Sequence, residues 1–140
     1  MSALSSITAR QMETWAHGQE VFDALGVVRK DGDRIKNICH LGVLTFSWTF
    51  KNRQMSAPEP VPFVNLTSPS GENWEWNDNQ SKSSIRGNAV EFAQVVTQVR
   101  NIKDTSLEVI GHSADQWMSL AQCFAGAPIT PPVKGSRYKV

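Results

Sequence analysis

The sequence predicts an α+β fold, with two helices first and a small unit of strands and helices after them. Three observations carry this reading. Apolar residues in the first 55 positions recur at helical spacing. From 63 to 126 they alternate in short runs between helical stretches. Pro58, Pro60 and Pro62 separate the two parts and forbid a helix between them. The expected organisation is a helical segment over 1–55, a Pro-rich linker over 56–62, an α+β domain over 63–126 and a flexible tail over 127–140.

The first helix is expected to start after Ser5 or Ser6, either of which can cap free N–H groups. It runs to Leu25 and stops at Gly26, a residue suited to the left-handed position beyond a helix end. Met12, Trp15, Phe22 and Leu25 give it one apolar side. Gly18 in its middle costs about 1 kcal/mol relative to Ala, which predicts close approach of another element. Asp33 is the expected N-cap of a second helix running to Arg53. The apolar set of that helix, from Ile35 to Phe50, is too broad for one stripe, so it should be buried among other elements.

Phe63–Thr67 and Asn73–Asn77 read as a hairpin across the Ser68-Pro69-Ser70-Gly71 turn, with Trp74 and Trp76 on one face. Ser84–Arg86 is a short third strand. Asn88 with Glu91 resembles a capping box opening a helix over Ala89–Arg100. Ser106–Ile110 is a fourth strand. Ser113 with Gln116 is a second capping box, for a helix through Phe124 that Gly126 and Pro128 end. The Pro-rich, basic tail from Thr130 is expected to be mobile.

With 140 residues, 40% of them hydrophobic, the chain can bury a core of its own. A net charge of +1 gives no electrostatic case for a nucleic-acid partner. Apolar runs are too short to span a membrane, and the N-terminus has no apolar segment of a secretory signal. Cys39 and Cys123 form no CxxC and read as reduced, buried thiols, which suits a cytoplasmic protein.

Glu13 and His17 are the sharpest chemical feature. Four residues apart on a helix, they share a face and can point at one object. A carboxylate and an imidazole suit zinc or a similar divalent ion, but the same pair is common as a minor surface ion pair. A catalytic zinc needs three protein ligands, and His40 is the candidate third. The commoner use of such a residue is a core histidine bonded to a backbone carbonyl. Arg100 could bind an anionic substrate or simply complement a helix dipole. Trp74, Trp76 and Trp117 could form a recognition surface but are more often core. No nucleophilic triad and no Gly-rich phosphate loop is legible, and nothing names a substrate.

The runs METWAHGQEVFDALG, HLGVLTFSWTF, LTSPSGENWEW, GNAVEFAQVVTQVRN and WMSLAQCFAG resemble a family of bacterial metal-binding proteins. That family is related to mycothiol-dependent maleylpyruvate isomerases, within the DinB-like superfamily of four-helix bundles. The resemblance covers residues 5–126 and implies two bundle helices followed by a sterol-carrier-like α+β domain. It implies that Glu13 and His17 are two of three metal ligands, the third being a histidine on an earlier bundle helix. The chain is therefore expected to be the C-terminal half of such a protein, with an incomplete zinc site. It is expected to associate as a homodimer or with the missing helical segment. Arg100 falls where related isomerases carry an arginine near the cleft, although Gln98-Val99-Arg100 stands where relatives tend to have paired arginines. If active, the protein would be a metal- and thiol-dependent isomerase or transferase using a low-molecular-weight thiol. The alternative is a non-catalytic module binding a small ligand or a protein. The α+β stretch also resembles what is labelled a tRNA wyosine-derivative domain.

Overall fold

The computed structural model describes residues 3–137. Its architecture is α+β, with five α-helices and a four-stranded sheet among the described residues. The long first helix, α1, spans Ala3–Leu25. It already includes Ser5 and Ser6, so its start lies ahead of both expected caps. At its other end Gly26 takes φ +68°, and the Val27 N–H bonds back to the Phe22 carbonyl at 3.0 Å. This left-handed closure is the reason for a glycine there.

The expected second helix is broken into three pieces. A 3-10 turn at Asp33–Ile35 leads into α2, Lys36–Leu44, and α3 follows at Phe46–Lys51. The break falls at Thr45, whose hydroxyl donates to the carbonyls of Leu41 and Gly42, both at 2.9 Å. Such back-bonding by a β-branched residue competes with regular helix. Asp33 does not cap α2. Its carboxylate instead accepts the Ser70 N–H at 3.0 Å and the Ser70 hydroxyl, tying the 3-10 turn to the hairpin loop. Those bonds, led by the hydroxyl, hold the Asp33 pKa below its usual value.

The strands are β1 (Phe63–Thr67), β2 (Asn73–Trp76), β3 (Ser84–Asn88) and β4 (Glu108–Ile110), in the order β2-β1-β3-β4. The expected hairpin is present: β1 and β2 are antiparallel, with Leu66 opposite Trp74 and Val64 opposite Trp76. β1 and β3 are parallel, and β4 closes the other edge antiparallel to β3. Val64, Leu66, Trp74 and Ile85 face the core, while Thr67, Asn73, Glu75 and Glu108 are exposed. Helices pack on the face that carries Val64, Leu66, Trp74 and Ile85, while Phe63 is buried on the other.

Helix α4, Ala89–Val96, begins as expected, with the Asn88 side chain accepting from Val90 N at 2.7 Å and Glu91 N at 3.3 Å. It stops four residues before Arg100, because Gln98 turns left-handed at φ +60° and the Val99 N–H returns to the Gln94 carbonyl. Helix α5, His112–Leu120, does not use the second capping box. Gly111 stands at its cap with φ +91°, where a Cβ would lie 2.0 Å from the Lys82 carbonyl oxygen. Ser113 instead donates to the Pro60 carbonyl at 2.6 Å and bonds the Ser83 hydroxyl, also at 2.6 Å. The helix ends at Leu120 rather than near Phe124, since Ala121 is extended. Gln122, 1% exposed, then organises the following loop by binding the Phe124 and Ala127 carbonyls and the Ile129 N–H.

Met12 and Trp15 of α1, Ile38 and Phe50 of α2 and α3, the inner sheet face and Trp117 of α5 form one continuous hydrophobic cluster. Trp117 is central, meeting Phe46 and Phe92 edge-on at 5.1 and 5.8 Å. Gly42 lets α2 approach α4, since a Cβ there would be 2.8 Å from a Val96 methyl. The described part of the 127–140 segment, expected to be mobile, is tied down at several points. The Ile129 and Pro132 carbonyls accept from Gln98 and Asn101, and Arg137 reaches Glu20 at 2.8 Å.

Candidate functional site

α1 carries Glu13 and His17 on its outer side. Met12 and Trp15 turn inward, so helical geometry leaves Glu13 and His17 exposed. They line one groove of about 440 Å³ between α1, the end of α4 and the segment after α5. Met12, Val99, Phe124 and Ile129 give that groove apolar walls, and Glu20 joins its rim. A second depression of about 420 Å³, reaching Leu41 and Trp48, shares Met12, Glu13, Phe124 and Ala125 with it. The His17 side chain is 82% exposed, and its Nδ1 is 3.5 Å from the Glu20 carboxylate. The other Glu20 oxygen is held by Arg137.

The donor types suit a divalent ion, but the number falls short. Among the described residues no group of three His, Cys, Asp or Glu side chains could hold a metal. His40 is not brought to the pair, and the core-histidine reading of it also fails. It is exposed on α2, with its Nδ1 accepting the Trp76 indole N–H at 3.1 Å, beside the sheet edge. Trp74 is buried beneath Lys36, whose ammonium lies 5.4 Å from the ring centre, and Trp117 is core.

Arg100 is neither the end of a helix nor a solvent-facing anion binder. It is 8% exposed, and one guanidinium nitrogen contacts both Asp23 oxygens, at 2.8 and 3.0 Å. Gln19 donates to the same carboxylate at 3.0 Å. This pair joins the end of α1 to the segment after α4, 77 residues apart in sequence. A second pair, half-buried, lies beside it. Arg29 contacts Asp31 at 3.3 Å, donates to the Trp15 carbonyl at 2.7 Å and lies over the Trp15 ring. Gly18 explains the geometry: a Cβ there would be 3.3 Å from the Arg29 guanidinium, which crosses α1 at that point. The two pairs line a cleft of about 340 Å³.

Nothing in the sequence pattern announced the Asp23–Arg100 and Arg29–Asp31 pairs. Only Gly18 hinted that something crosses α1 closely. Both cysteines are free and buried, as their isolation suggested. Burial pushes the Cys123 thiol up to about 12, and burial followed by the neighbouring Cys123 pushes Cys39 higher still. Neither is a nucleophile at neutral pH. Among the described residues no helix is long and apolar enough to cross a membrane.

The chain matches no family model. It is similar to two uncharacterised proteins of Mycobacterium tuberculosis, one from strain CDC 1551 / Oshkosh and one from strain ATCC 25618 / H37Rv. Each is 41% identical over 128 residues, which is 91% of this chain and 50% of the relative. The chain thus spans about half the length of the curated relatives it matches. No solved structure matches it.

Proposed function

We propose that this chain is the part of a DinB-like, maleylpyruvate isomerase-like metal-binding protein that contributes Glu13 and His17 to the metal site. The observation that carries this reading is their joint exposure, one helical turn apart, on the rim of an apolar groove. A third ligand would come from a further helical segment, or a second copy, laid along α1. Two facts support an additional element there. The curated relatives are about twice as long, and Ile7, Val21 and Leu25 on α1 are 58–71% exposed. On this reading α1, α2 and α3 are remnants of the bundle, and the sheet with α4 and α5 is the sterol-carrier-like unit. A bound divalent ion would supply Lewis acidity. The chain's own residues would hold it and give the groove its apolar walls.

Zinc bound by untagged protein at equilibrium, measured by dialysis against a fixed free zinc concentration without a desalting step, tests the proposal, because two protein ligands alone hold zinc weakly. Bound zinc that is lost in both Glu13→Ala and His17→Ala supports it. Equal zinc in wild type and both variants refutes it. A non-catalytic interaction module is the second reading. The same exposed apolar residues favour it, and it expects self-association that neither substitution changes.

A further inference from the structure

A further groove, of about 520 Å³, lies between the first half of α1 and the loop that follows this helix. It shares no lining residue with the Glu13–His17 groove. One wall is a single stripe of α1, with Ile7, Arg10, Gln11 and Thr14 at i, i+3, i+4 and i+7. The other wall is the segment 29–35, and two bonds fasten it to the helix. The Gln11 amide donates to the Arg34 carbonyl at 2.9 Å, and Arg29 donates to the Trp15 carbonyl at 2.7 Å. Lys30 and Arg34 are thereby held across the groove from the stripe that carries Arg10.

The charge of this groove is one-sided. Arg10, Arg29, Lys30 and Arg34 line it against one carboxylate, that of Asp31, in a chain whose net charge is only +1. Asp31 is matched by Arg29, 3.3 Å away, and also accepts the Trp15 indole N–H. Asp33, next to Arg34 in sequence, is turned to Ser70 instead. Arg10, Lys30 and Arg34 are exposed, and their side chains make no ion pair or hydrogen bond among the described residues. Three unmatched cations around one concave surface repel one another and concentrate anions there.

We propose that this groove binds a small organic phosphate monoester, with its phosphate between Arg10, Lys30 and Arg34 and its organic part against Ile7. A fork-to-fork contact with one arginine occupies both oxygens of a carboxylate. A phosphate monoester presents three terminal oxygens and about two negative charges at neutral pH, which serves both arginines and the lysine. The volume lies within the range of small-molecule sites and exceeds what a bare phosphate ion fills, so an organic part accompanies the phosphate. The proposal is independent of the metal reading.

The probe is phenyl phosphate at pH 7.5, with benzoate and benzyl alcohol as the monoanionic and neutral controls. Binding is followed by NMR of the Trp15 indole N–H and the Gly32 amide, both from residues of the groove wall. Saturable shifts of both signals with phenyl phosphate are expected, with benzoate weaker by about tenfold or more and no response to benzyl alcohol. Arg10→Gln and Arg34→Gln should each weaken phenyl phosphate binding about tenfold. Both side chains are exposed and hold nothing else in place, so the variants should fold. Lys82→Gln removes an exposed positive charge outside the groove and should leave the affinity unchanged. No saturable shift with phenyl phosphate, benzoate binding of equal strength, full affinity in either arginine variant, or an equal loss in Lys82→Gln overturns the proposal.

Discussion

Replacing Arg100 by Met should be among the most damaging single changes away from the central aromatic cluster. The guanidinium and the Asp23 carboxylate are each 9% exposed at the side chain, and their closest contact is 2.8 Å. Arg100→Met leaves the Asp23 carboxylate buried with the Gln19 amide as a hydrogen-bond donor. Removing one partner of a buried ion pair costs about 3 to 5 kcal/mol, mostly because the remaining charge stays out of water. The pair itself is worth far less than that cost, since replacing both charges by apolar groups is often neutral or stabilising. The double variant Asp23→Leu with Arg100→Met should therefore recover about 2 kcal/mol or more of the loss. Urea unfolding at pH 7, followed by tryptophan fluorescence, measures each arm of this cycle. A loss below about 1 kcal/mol for Arg100→Met, or strict additivity in the double variant, would show that the pair does not hold α1 to the sheet unit. The result also bears on a substrate-binding role. An arginine kept for an anionic substrate, rather than for Asp23, would leave stability almost unchanged when replaced.

Other consequences follow from the same geometry. Gly42→Ala should destabilise by about 1 to 3 kcal/mol despite the better helix propensity of Ala, because the new methyl meets Val96 and Phe92; equal or higher stability on chemical denaturation would contradict the α2–α4 packing. Cys39 and Cys123 should resist a disulfide exchange reagent at pH 8 in the folded protein and both react in guanidinium chloride, so rapid native labelling would show that they are not buried. Their raised folded pKa values also set a sign. The unfolded thiols ionise near 9 while the folded ones stay neutral, so stability is intact below that pH and falls by about 1.4 kcal/mol per unit per thiol above it. A double Cys→Ala variant with an unchanged alkaline slope would refute that assignment. Ser70→Ala should bring the Asp33 pKa back up towards 3.8, read by carboxyl NMR titration, and an unmoved pKa would deny the contact between the hairpin loop and the 3-10 turn.

The parts of the fold that were legible are those fixed by local chemistry. The alternation of Val64 and Leu66 against Trp74 and Trp76 defines the hairpin and its inner face. Gly26 and Asn88 mark a helix end and a helix start through their own backbone and side chain. Where the pattern misled, a distant partner outweighed a local one. Ser113 had the spacing of a cap, but Ser83 and Pro60 claim its hydroxyl. Gln98 and Gln54 close helices in the left-handed conformation that usually marks glycine, so neither end was visible. In the candidate site, the i to i+4 spacing correctly put Glu13 and His17 on one face. It could say nothing of His40, whose position depends on the register of β2 and on Trp76. The Asp23–Arg100 pair was invisible because it joins positions 77 residues apart.

The most direct test of the metal reading is a zinc titration of this chain observed at the His17 imidazole nitrogens by NMR. Binding through Glu13 and His17 predicts a large shift of the His17 ring nitrogens with the His40 ring unaffected, and the loss of that shift in Glu13→Ala. A His17 signal that does not move with zinc, or that moves equally in Glu13→Ala, would contradict the assignment of this helix face to a metal.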